Sequence, residues 1–145
     1  MNRRNSKRPS LLIDPTQADV FESSEPFRRF MRLLVDRERF PETPLTIARV
    51  QYPSGAKGPF HSHRKTTEVY FVLSGELTAT VQGKRYRVKR GQLLYIPPGN
   101  EHRAENCGTT ACRFMTINTP LAKDVPELMV RKKWEKVNRK NKLKG

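Results

Sequence analysis

The sequence has little with which to cross-link itself: two cysteines, Cys107 and Cys112, in 145 residues. That scarcity excludes a disulfide framework and makes a reducing, cytoplasmic setting the expectation. Both are read as free thiols, although Gly108-Thr109-Thr110-Ala111 between them has the composition of a hairpin turn. Long apolar runs are missing as well. Nothing approaches the roughly 20 apolar residues of a membrane span, and Leu11-Leu12-Ile13 behind the basic amino terminus falls far short of a secretory signal core. A soluble chain that is not exported by that route is expected.

Acids are scarce too, with 14 Asp and Glu against 29 Lys and Arg, a net charge of +15. An excess of that size favours anionic partners in general. Its distribution narrows the inference: residues 1–10 carry +4 and residues 131–145 carry +7, leaving about +4 on the body between them. Nucleic acid could engage the basic tail, where Trp134 sits among Lys and Arg, but a solvated tail whose Trp packs on the body is the simpler reading. No helix-turn-helix segment or zinc-finger spacing supports a nucleic-acid binder.

The length suits one domain with one core. Residues 1–26 are polar, lack periodicity and are broken by Pro9, Pro15 and Pro26, so a loosely ordered basic arm is expected there, with order beginning near Phe27. Phe27 to Phe40 fits either a helical face or, over Phe30 to Val35, a buried strand. From Leu45 the texture becomes short β-like runs punctuated by Gly, Pro, Asn and Ser, as in an all-β sandwich or barrel spanning residues 27–120. Leu77, Ala79 and Val81 alternate with polar neighbours, and Lys84, Arg85, Arg87, Lys89 and Arg90 read as a solvated hairpin face. Over residues 121–145 a short helix is expected, with Asp124 as N-cap, Pro126 and Glu127 in the first turn, and Val130, Trp134 and Val137 on one face before the basic tail.

The chain has three histidines, and all fall in the β region. His61 and His63 stand two apart on an extended segment and leave the same face, Glu68 begins the next strand, and His102 follows the turn Pro97-Pro98-Gly99. Three imidazoles and one carboxylate can hold a divalent ion and leave coordination positions open. If Glu68 points inward, so does Tyr70, while Arg49 and Gln51 share one face of the preceding strand. Arg49, Gln51 and Tyr70 are therefore the candidate substrate contacts. Phe60 reads as pocket wall or barrel packing, and Arg103 with Arg49 as a source of positive potential for an anionic substrate.

These residues resemble the cupin superfamily. Gly55-x5-His61-x-His63-x4-Glu68-x6-Gly75 is similar to its first motif, and Gly91-x5-Pro97-x-Gly99-x2-His102-x3-Asn106 to its second, with all ten fixed positions filled. The resemblance implies a single jelly-roll β-barrel with a metal inside, bound by His61, His63, Glu68 and His102; Fe, Mn, Ni, Co and Zn all suit that donor set. It further implies an enzyme acting on a small anionic or polyhydroxylated substrate, first a dioxygenase-type oxidoreductase, with a sugar isomerase, decarboxylase, lyase or non-catalytic binding module as alternatives. Members of the family commonly form homodimers by sharing an amino-terminal strand, for which Phe30 to Val35 is the candidate.

Overall fold

Alternation of small or apolar residues with polar ones builds the centre of the fold. The computed structural model describes residues 8–137; much of the expected basic arm and tail, residues 1–7 and 138–145, lies outside them. In strand β3 (Thr46–Tyr52) every second residue from Thr46 to Tyr52 is buried, and in β9 (Cys112–Thr119) Cys112, Phe114, Thr116 and Asn118 are buried. In β4 (Thr67–Ser74) the buried set is Glu68, Tyr70 and Val72. These strands pair antiparallel, so the inward residues stand in rows: Val50, Phe114 and Val72 in one, Ala48, Thr116 and Tyr70 in the next. Phe114 is gripped edge-on by Tyr52 and Tyr70, at centroid distances of 5.1 and 5.4 Å.

Around that centre, β1 (Val20–Glu22), β2 (Phe30–Val35), β7 (Leu93–Ile96) and β10 (Glu135–Lys136) complete a sheet in the order β10-β1-β2-β3-β9-β4-β7. A second sheet, β6-β5-β8, is made by β5 (Glu76–Val81), β6 (Lys84–Lys89) and β8 (His102–Glu105). One core joins the two: Val72, Ile96 and Phe114 of the large sheet share a cluster with Leu77, Ala79, Val88 and Ala104 of the small one. The architecture is the expected all-β jelly roll. The β5–β6 hairpin turns through Gln82 and Gly83, both at positive φ (47° and 78°), the conformation that a two-residue hairpin favours. Beyond it Lys84, Arg85, Arg87 and Lys89 are exposed and Val88 alone is buried.

Three expectations change. Order starts before Phe27: β1 pairs with β2 and β10, and Phe21 is buried in the core, although so short a strand between prolines shows no periodicity. The segment Phe30 to Val35 is a strand, but β1 and β3 occupy both of its edges, so it is not free for a partner. The carboxy-terminal helix is one turn, α1 (Val130–Lys133), after a 3-10 turn at Pro126–Leu128. Asp124 does not cap it; its Oδ2 accepts from the Arg64 N–H, and the chain leaves the helix at Trp134 to pair with β1. Buried Val125 and Val130 fix this segment, and Trp134 packs on the core under the Arg29 guanidinium, 5.0 Å from the ring centroid.

Gly75, between β4 and β5, supplies a test of the turn chemistry. Its φ is +73°, and a Cβ there would stand 2.7 Å from the Ala111 carbonyl oxygen. At Gly83 the φ is similarly positive but nothing lies within 4 Å. Gly83→Ala is expected to cost about 1 kcal/mol, the left-handed penalty alone, and Gly75→Ala at least about 2 kcal/mol, since backbone must also move. Equal shifts in urea midpoint for the two variants would contradict this.

Candidate metal centre

His61 and His102 face each other in an isolated bridge, each N–H donating to the other's carbonyl at 3.0 and 2.8 Å. His63 lies two residues beyond His61, and Glu68 enters as the second residue of β4. The structure brings all four predicted side chains together, their ligand atoms within 4.8 Å of one another. Glu68 Oε1 lies 3.0 Å from His102 Nε2 and 3.9 Å from His61 Nε2, and Glu68 Oε2 lies 3.9 Å from His63 Nε2.

Backbone carbonyls set the imidazole orientation. The Nδ1 atoms of His61, His63 and His102 sit against the carbonyl oxygens of Pro59, Asp124 and Asn100 at 3.0, 3.1 and 2.8 Å. A carbonyl only accepts, so each Nδ1 carries the proton and each Nε2 is left to turn inward. The buried Nε2 of His63 has no hydrogen-bond partner among the described residues. An unsatisfied buried nitrogen aimed at a carboxylate and two further imidazoles is what a divalent ion would satisfy. The donor set therefore fits a metal.

The protonation balance points the same way. Burial opposes ionisation of Glu68, but the His102 and His61 imidazoles facing it outweigh burial and hold the carboxyl well below its usual range. Burial pushes His63 down, helped by its two imidazole neighbours and opposed by Glu68. At His61 burial also pushes down, but Glu68 and the Pro59 carbonyl prevail and the net shift is upward. Three imidazoles around one carboxylate cannot all take up a second proton on Nε2, whereas one cation serves all four.

A cavity of about 170 Å³ opens beside this cluster, lined by His61, Glu68 and Tyr70. Cavities of roughly that size accept a benzene-sized guest. Of the three candidate contacts, only Tyr70 is there. Arg49 and Gln51 are corrected: Ala48, Val50 and Tyr52 take the inward face of β3, so both polar side chains point out of the barrel. Gln51 Oε1 accepts from Arg113 Nε at 3.1 Å, and burial, then the charges of Arg32 and Arg113, lower the Arg49 pKa. Arg103 donates to the Gly58 carbonyl and stacks 4.7 Å above the ring of Phe60, which is 50% exposed and does not line this cavity.

The motifs miss the rest of the wall. Arg29 lines the cavity, its Nη1 3.5 Å from the Tyr52 hydroxyl and its guanidinium over both Tyr52 and Trp134. Glu127 lines it from the 3-10 turn and is 4% exposed. Its Oε1 accepts from the Thr116 hydroxyl at 3.2 Å while Oε2 has no partner among the described residues. Burial, and then the charge of Glu68, push the Glu127 carboxyl up to about 7. Sequence reading finds Glu127 only as an acid in a helix's first turn, an ordinary place for one.

The profile of the family described as "Cupin domain" matches residues 48–118. The chain is 31% identical over 75 residues to an uncharacterized protein of Methanocaldococcus jannaschii, covering 52% of this chain and 60% of that protein, less than two thirds of its length. It is 29% identical over 87 residues to the oxalate-binding protein of Thermotoga maritima, covering 60% of this chain and 72% of that one. The crystal structure of a predicted oxalate decarboxylase from Thermotoga maritima aligns at a TM-score of 0.70 with 23% identity, covering 77% of this chain and 100% of that chain; the likeness is one of fold.

Proposed function

This chain carries a domain of the cupin superfamily, and from that premise we propose that it holds one divalent transition metal on His61, His63, Glu68 and His102 and takes a small carboxylate anion beside it. The observation that carries this reading is the arrangement of three carbonyl-anchored imidazoles whose Nε2 atoms surround a buried carboxylate. A bound divalent ion with three neutral imidazoles and one carboxylate supplies a Lewis-acidic centre of net charge about +1, which favours a second anion.

The chain's own residues serve the same end. Arg29 has no carboxylate ion-pair partner among the described residues, so its charge is available to an anion in the cavity. Tyr52, Phe114 and Trp134 give that cavity an aromatic wall, which excludes water and strengthens the attraction. Dioxygenase-type oxidation of the anion is the first reading of the reaction. The similarity to the oxalate-binding protein of Thermotoga maritima favours a second, binding or decarboxylation of a carboxylate such as oxalate.

The test is metal content followed by titration. Wild type is expected to hold one equivalent of metal and to bind oxalate or lactate calorimetrically, and the double variant His61→Ala, His102→Ala to lose both. Equal metal content in the two proteins would refute the metal site. Oxygen uptake with a bound carboxylate supports the first reaction, and carbon dioxide release without oxygen consumption the second.

A further inference from the structure

A buried carboxylate oxygen without a donor is costly unless something not yet in place satisfies it. Glu127 Oε2 is such an atom, and the surroundings show that it is held in position. Val125 and Val130, on either side in sequence, are fully buried. The Thr116 hydroxyl secures the other oxygen, and Thr116 itself stands in the row between Ala48 and Tyr70 at the centre of the large sheet. No ion pair reaches Glu127 among the described residues, although Arg29 lines the same cavity.

The cavity thus presents one cation, Arg29, and two carboxyl groups, Glu68 at the metal cluster and Glu127 apart from it. A dicarboxylate long enough to reach beyond the metal cluster would set its second anionic group against Glu127, which is unfavourable at short range. A hydroxyl would instead donate to Oε2. We infer that Glu127 is a specificity-determining residue that accepts a hydrogen bond from a ligand hydroxyl, so that the ligand class of this site is small hydroxycarboxylates. The inference rests on the carboxylate-binding reading above and narrows it.

Lactate and propionate differ by one hydroxyl and test it directly. Calorimetric titration of metal-loaded wild type is expected to give at least tenfold tighter binding of lactate, the scale of one hydrogen bond to a charged group. Because the hydroxyl could also favour the metal, the deciding quantity is the change on mutation. In Glu127→Leu the lactate-to-propionate ratio is expected to fall at least fivefold, with propionate affinity retained or improved. Glu127→Gln, nearly isosteric, is the safeguard for folding: its neutral amide should reduce the ratio about threefold. An unchanged ratio in the folded variants overturns the assignment, as does equal binding of the two acids by wild type, while leaving carboxylate binding standing. If neither acid nor oxalate binds, the carboxylate reading fails and this one with it.

Discussion

Chelating the metal from the loaded protein is expected to lower its Tm by roughly 10 °C, and Glu68→Gln to remove that dependence. A ligand that binds only the native state stabilises it by about 4 kcal/mol at a thousandfold excess over Kd. For a domain near this size, each kcal/mol moves Tm by roughly 2–4 °C. Glu68→Gln preserves volume and removes the one anionic donor, so three carbonyl-anchored imidazoles remain without the charge that draws an ion into a buried site. His102→Ala should act likewise, because His102 is buried and its Nε2 sits 3.0 Å from Glu68. Thermal unfolding of each protein with and without metal measures the difference. A Glu68→Gln shift as large as that of wild type would show that the ion binds elsewhere.

The cluster of His61, His63, Glu68 and His102 was legible because most of its geometry is local. His61 and His63 need only the alternation of an extended segment to share a face, and Glu68 is the second residue of the strand that follows one turn later. His102 came from the spacing of the second motif. The error at Arg49 and Gln51 has a specific source: the site lies inside the barrel, so its wall must alternate in phase with the core. Val50, Tyr52, Tyr70 and Phe114 are both core and wall. Polar residues out of phase with them therefore belong to the outer surface, which favours the apolar face of β3 over its arginine.

Arg29, Glu127 and Trp134 were hidden for a different reason. Each reaches the cavity from a segment outside the two motifs, through contacts between separate elements: Arg29 meets Tyr52 and, across most of the chain, Trp134, and Thr116 of β9 meets Glu127 of the 3-10 turn. Periodicity reports which face of an element is apolar, not which distant element will cover it. The same limit explains β1 and β10: β1 pairs with β2 on one edge, and the carboxy-terminal segment returns as β10 to pair with its other edge.

Replacing Glu127 by Gln is expected to stabilise the metal-free protein at pH 8 by up to about 3 kcal/mol and to change it much less at pH 5. The native carboxyl stands at about 7 against an ordinary value of 4.5, a difference of that order in free energy. Since the native value is raised, the folded state binds the proton more tightly than the unfolded one. The associated stability is present in full below pH 4.5 and is lost as pH rises through about 7. Glu68 contributes the opposite slope, because its native value is depressed and its stabilisation disappears in acid. Comparing wild type with Glu127→Gln at each pH leaves the Glu68 slope nearly common to both proteins. Urea midpoints at pH 5 and pH 8 provide the measurement, and a stability difference independent of pH would contradict the raised carboxyl. With metal bound, the added positive charge beside Glu68 favours ionised Glu127, so the advantage of Gln at pH 8 should shrink. A carboxyl that lowers metal-free stability and is tolerated once the site is charged is better explained by what it does for a bound ligand than by any part in holding the fold.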